Sequence, residues 1–117
     1  MDDEEMVGDI ACQMLDFLGY DAVWVTDGDL AVEEYRTQRT KGKGFAAVIL
    51  DLSIPGGMGG EETVTKILAI DEDAKVFVSS GYANDPIMTN YKDHGFVGVL
   101  AKPFDLETIE KVVVPCL

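Results

Sequence analysis

The chain has 117 residues, room for one compact domain and not for two. Its 47% hydrophobic content supports a single packed core and excludes a disordered chain. Nine basic against 22 acidic residues leave a net charge of −13, the wrong field for a reader of nucleic acid, and favour cations and basic protein surfaces as partners.

No run of about 18 apolar residues occurs, so no membrane span is expected. The start, Met1-Asp2-Asp3-Glu4-Glu5, is acidic where a signal peptide needs basic and then apolar residues, and a cytoplasmic location is expected. Cys12 and Cys116 make neither a disulfide framework nor a metal cluster; Cys12 reads as a small buried residue and Cys116 as a free thiol.

In chain order, Asp2 or Asp3 can cap a first helix running to about Leu18, with an apolar stripe of Met6, Ile10, Met14 (or Ala11), Leu15 and Leu18, and Gly19 as its stop. Ala22-Val23-Trp24-Val25 reads as a short strand. A second helix is expected from about Asp27 to Thr40. Phe45 to Leu50 is a continuous apolar run, as in a parallel strand covered on both faces, and it ends at Asp51.

A Pro- and Gly-rich loop, Ser53 to Gly60, leads to a helix from about Glu61 to Ile70. Lys75 to Ser79 is a further strand. Asp85-Pro86 opens another helix, with a cap and a proline at its first position. Val97 to Leu100 forms a last short strand before Lys102-Pro103, and Asp105 caps a final helix that Pro115 stops. Helices and strands alternate, the signature of a parallel α/β sheet in one domain over residues 1–117.

In such sheets ligands bind beyond the carboxyl ends of the strands. Asp51, Ser79 and Ser80, and Lys102 all sit at strand ends, and Asp2 and Asp3 start the first helix at the same rim. Three carboxylates together call for a hard divalent cation, and Mg²⁺ takes oxygen ligands while keeping waters. Phosphoryl transfer relies on positioning and charge stabilisation. Lys102 would supply a point charge for a phosphoryl oxygen, a serine hydroxyl a donor, and Asp51 a nucleophile.

Asp2-Asp3-Glu4-Glu5, Asp51 followed by Pro55, Val78-Ser79-Ser80-Gly81 and Lys102-Pro103-Phe104 together resemble the signature of the receiver domains of two-component response regulators, most of all those of hybrid sensor histidine kinases. The resemblance covers the whole chain. It implies a flavodoxin-like doubly wound sheet in the order 2-1-3-4-5, and a phosphorelay role with a histidine kinase or phosphotransfer protein as donor. It implies a phosphoprotein that catalyses only its own phosphorylation and dephosphorylation. By position, Asp51 matches the phosphoacceptor, Asp2 and Asp3 the acidic pair holding Mg²⁺, and Ser53 the place whose backbone carbonyl ligates the metal. Ser80 matches the switch hydroxyl because it precedes the small Gly81, and Lys102 matches the family's lysine.

Two positions depart from that pattern. The family's apolar first strand ends in the acidic pair, and here Met1 stands where its last residue would be, so the strand is expected to be absent or truncated. A start assigned too late, a trimmed chain, or a deletion tolerated through rearrangement or a homodimer would each account for it. Val99 stands three residues before Lys102, where many receivers carry Tyr or Phe.

Several residues read more simply. His94 is expected to be a surface residue near a helix end, and Trp24 and the methionines core packing. The loop Pro55-Gly56-Gly57-Met58-Gly59-Gly60 lacks the GxxxxGK[ST] pattern of a nucleotide loop. A receiver-like binding module that does not switch is the alternative. An aspartate-nucleophile phosphohydrolase is more distant, because Ser53 occupies the place of that class's second aspartate.

Overall fold

The computed structural model describes all of residues 1–117. Helices α1 (Glu5–Phe17), α2 (Gly28–Thr40), α3 (Gly60–Ile70), α4 (Pro86–Thr89) and α5 (Leu106–Val112) surround strands β1 (Val48–Asp51), β2 (Val76–Ser80) and β3 (Gly98–Ala101). The strands form one parallel sheet in the order β1-β2-β3, with Asp51 beside Ser79 and Ser80 beside Ala101.

The core lies on both sides of this sheet. Strand residues alternate between faces. Val76 and Val78 therefore join Leu50, Val64, Ile67 and Phe96 on one side, against α2 and α3. Phe77 and Leu100 join Ile109 and Val113 on the other, against α5, the partly buried Met14 and Leu15 of α1, and Leu18 just past it. Every residue of β2 is buried, which explains why the middle strand reads as an unbroken apolar run ending in two serines.

The helix starts follow local chemistry. Asp27 accepts from Leu30 N, Asp85 from Ile87 N and Asp105 from Thr108 N, at 3.0, 2.9 and 2.9 Å. The first helix differs from the expectation: Glu4 is its cap residue, without a side-chain capping bond, and Asp2 instead accepts from Glu4 N at 2.9 Å. Its buried face also differs, because Met6 is 76% and Ile10 50% exposed. Gly8 is turned inward, where the Trp24 ring lies so close that a Cβ would meet Nε1 at 2.4 Å. Trp24 selects the small-residue face of α1 over the larger apolar one. Cys12, expected to be buried, is half-buried on this helix.

The helix expected from Asp85 is a single turn followed by a 3₁₀ segment, Tyr91–His94. The side chains of Thr89 and Asn90 both donate to Pro86 O, at 3.0 and 3.1 Å, and compete with helical continuation. After α5 the chain ends in a 3₁₀ turn, Val114–Cys116, that contains Pro115.

The largest departure concerns the expected strands at 22–25 and 45–47. Neither stretch is part of the ladder, which begins at Val48, where the backbone N–H donates to Lys75 O at 2.9 Å. Between them lie Met1 and Asp2. The Met1 ammonium donates to Ile49 O at 2.7 Å, Asp51 N donates to Met1 O at 3.0 Å, and Asp2 N donates to Val25 O at 3.1 Å. Toward β1 that is a parallel pattern, and toward residue 25 it is a single bond. Residues 1–2 thus lie between residue 25 and β1, where the order 2-1-3-4-5 places a first strand.

Candidate functional site

The carboxyl ends of β1, β2 and β3 and the start of the chain meet at one rim. Asp51 closes β1 and is 6% exposed, and Asp2 is 7% exposed. Lys102 follows β3, held by a bond from its own N–H to Ser80 O at 2.8 Å. Its Nζ donates to Asp51 Oδ2 at 3.0 Å and pairs with Asp2 Oδ2 at 2.6 Å. The remaining oxygens accept backbone donors: Asp2 Oδ1 from Glu4 N, and Asp51 Oδ1 from Ser53 N at 3.3 Å. Trp24 Nε1 donates to Asp2 O at 2.8 Å and fixes the segment carrying that carboxylate.

One ammonium serves two buried carboxylates. Burial pushes the Asp51 carboxyl above its usual range and the neighbouring Asp2 charge adds to this, while Lys102 opposes both. Burial by itself would lower Lys102, but its hydrogen bonds to Asp2 and Asp51 outweigh that and hold it above its usual value. The cluster is one cation short of balance, and its acidic side faces solvent: the carboxylates of Asp2, Asp3 and Glu4 lie within 4.8 Å of one another, the last two exposed. Such a set of hard oxygen donors fits a small divalent cation.

Of the residues proposed from sequence, Asp2, Asp51 and Lys102 are in direct contact, and Ser80 is tied to Lys102 through the backbone. The buried Ser80 Oγ accepts from Tyr82 N at 3.1 Å. Asp3 borders the cluster from the solvent side, and Ser53 is exposed next to Asp51. Ser79 is buried on the Phe77 side of the sheet, its hydroxyl without a partner.

Sequence reasoning did not anticipate that Lys102 reaches Asp2 as well as Asp51, nor that Glu4 joins the acidic cluster. The run of four acids after Met1 carried the second signal; nothing local carried the first. His94 lies in the 3₁₀ segment, half-buried. The glycines before α3 serve packing: a Cβ on Gly59 would come within 2.4 Å of Leu52 O.

This geometry gathers an acidic cluster and one lysine at the carboxyl-end rim of a parallel α/β sheet, and the sequence matches the response regulator receiver domain over residues 1–114. The chain belongs to that family, the receiver domains of two-component signalling. It is 35% identical over 66 residues to sporulation initiation phosphotransferase F of Bacillus subtilis (strain 168). That stretch covers 56% of this chain and 52% of the relative, so the match spans about half of the relative's length. The fold is similar to chemotaxis protein CheY4 of Vibrio cholerae, with a TM-score of 0.87 and 24% identity over 99% of this chain and 93% of that one. It is also similar to the receiver domain of sensor histidine kinase PA1611 from Pseudomonas aeruginosa, described with a magnesium ion coordinated in its active-site cleft. There the TM-score is 0.81 and the identity 24%, over 95% and 88% of the two chains. No helix is long and apolar enough to cross a membrane.

Proposed function

We propose that Asp51 accepts a phosphoryl group from a phosphohistidine on a histidine kinase or phosphotransfer protein, and that the added charge switches a protein-interaction surface. The observation that carries this reading is the shared contact of Lys102 Nζ with Asp51 and Asp2 at the carboxyl ends of the strands. A carboxylate oxygen of Asp51 forms a bond to phosphorus as the phosphorus–nitrogen bond of the donor breaks, and the imidazole leaves. The product is an acyl phosphate.

Asp2, Asp3 and Asp51, with the backbone carbonyl of Ser53, would hold Mg²⁺. When bound, Mg²⁺ supplies positive charge to the phosphoryl oxygens. Lys102 pairs with one of those oxygens and the Ser80 hydroxyl donates to another. The acyl phosphate carries roughly −1.5 to −2 charges where the carboxylate carried one. Ser80 and Lys102 terminate β2 and lie just beyond β3, so their inward movement is transmitted to the segments leading into α4 and α5. In this reading the protein acts on itself, as a switch.

The wild-type chain is expected to take label from acetyl phosphate in the presence of Mg²⁺, and Asp51→Asn to take none. Equal labelling of Asp51→Asn would overturn the assignment. A folded wild-type chain that neither labels nor binds Mg²⁺ would favour a receiver-like module that binds partners without switching. Steady phosphate release from small phosphate esters would favour a hydrolase.

A further inference from the structure

Asp2 is held at four points. Its N–H donates to Val25 O at 3.1 Å and its Oδ1 accepts from Glu4 N at 2.9 Å. Its Oδ2 pairs with Lys102 Nζ at 2.6 Å, and its main-chain carbonyl accepts from Trp24 Nε1 at 2.8 Å. The indole is the sole hydrogen-bond partner of that carbonyl. Asp3, next in the chain, makes no hydrogen bond through backbone or side chain, so it takes its place from Asp2 before it and Glu4 after it. The ring that supplies the bond is itself fixed. Gly8, buried on α1, leaves the space that the indole fills: a Cβ there would stand 2.4 Å from Nε1, 2.5 Å from Cε2 and 2.6 Å from Cδ1. The backbone of α1 thus lies against the five-membered half of the ring, and the N–H is left aimed at Asp2 O. An indole N–H only donates, so the contact has one sense.

We propose, on the reading that Asp2 and Asp3 hold Mg²⁺, that Trp24 seated on Gly8 is a positioning residue for the cation site. Its N–H fixes the main chain of Asp2, and so the spacing of the two carboxylates that spring from this segment. The carboxylate oxygens of Asp2, Asp3 and Glu4 lie within 4.8 Å of one another, and like charges that close drift apart unless the chain beneath them is held. Lys102 restrains the Asp2 carboxylate but not the backbone that also carries Asp3; the indole restrains that backbone. Mg²⁺ demands near-ideal octahedral geometry at about 2.0–2.1 Å, so a small displacement of a ligand matters. Groups one step removed from a metal orient its ligands, and losing one weakens binding roughly 10- to 100-fold. Trp24 has that place here, acting through the Asp2 main chain alone.

The probe is Mn²⁺, which suits the same octahedral oxygen set. Free Mn²⁺ is read by electron paramagnetic resonance, and its displacement by Mg²⁺ marks the shared site. Trp24→Phe removes the N–H; a benzothienylalanine at position 24 removes it while keeping the shape of the ring, with sulfur in place of Nε1. Both chains are expected to bind Mn²⁺ about tenfold more weakly than the wild type, the second with little change in Tm. Gly8→Ala displaces the ring from its other side, so Gly8→Ala combined with Trp24→Phe should bind no more weakly than Trp24→Phe, because both act through one bond. Ile67→Val, in the buried last turn of α3, lowers Tm without touching the rim and should leave Mn²⁺ affinity unchanged. Wild-type affinity in the benzothienylalanine chain would overturn the role of Trp24 while leaving the cation site standing. An equal loss in Ile67→Val would overturn it too, by making affinity a matter of overall stability. A folded wild-type chain that binds no Mn²⁺ would remove the cation site and this proposal together. None of these readouts involves phosphorylation, so a failure here leaves the role of Asp51 to its own test.

Discussion

Asp2, Lys102 and Asp51 form a buried group in which two like charges share one opposite charge. Removing the ammonium leaves both carboxylates uncompensated. Lys102→Met is therefore expected to lower stability by about 3 kcal/mol in urea denaturation at pH 7. Millimolar Mg²⁺ should restore part of that loss, because a divalent cation replaces the missing charge; a variant as stable as the wild type would contradict this electrostatic picture. Asp51 behaves in the opposite sense. Its carboxyl is raised above the usual value chiefly by burial, so the folded state holds the proton more tightly than the unfolded one. Its contribution favours folding below the usual carboxylate range and is lost as pH rises through the folded value, so the ionised group costs stability at neutrality. Asp51→Asn should gain stability at pH 7, read as a higher Tm, with the gain shrinking as pH falls and Asp51 becomes protonated. A constant gain from pH 7 to pH 3 would rule this out. That stability is given up at the carboxylate proposed to react fits a site built for charge and not for packing.

At the scale of elements, what was readable depended on whether the signal was local. Apolar runs placed β1 and β2, and aspartates at positions 27, 85 and 105 placed helix starts, because both signals act over a few residues. Strand 22–25 was not decidable in this way. Its composition suits a strand, but a ladder needs a neighbour on at least one side, and only Asp2 bonds to it. The α1 stripe misled for a similar reason: Met6 and Ile10 are at helical spacing, yet the face that packs is the one on which the Trp24 ring sits against Gly8. Gly8→Ala places a Cβ 2.4 Å from the indole Nε1, so Trp24 must move and loosen its bond to Asp2 O. The expected cost is about 1–3 kcal/mol despite the better helix propensity of alanine, together with a shifted Trp24 emission. A stabilised variant with unchanged emission would show that the indole does not seat there. The site was the most legible part, since Asp51, Ser80 and Lys102 stand at strand ends in chain order. The sharing of Lys102 with Asp2 depends on the packing of segments 100 residues apart and left no local trace.

As a whole molecule, the chain carries a three-stranded parallel sheet beside whose β1 edge Met1 and Asp2 are hydrogen-bonded, at the rim. Met1 and Asp2 set the rim through one bond to residue 25, two to β1, and the ion pair to Lys102. The net charge of −13 concentrates cations near this surface and suits a basic docking face on a partner. The most direct measurement is to treat the chain with acetyl phosphate and Mg²⁺, reduce it with borohydride to convert an aspartyl phosphate to homoserine, and map the product by peptide mass spectrometry. Homoserine at position 51 alone, abolished by chelating the Mg²⁺, is the expected result; homoserine at Asp2 or Asp3 instead, or none in a folded chain, would contradict the account.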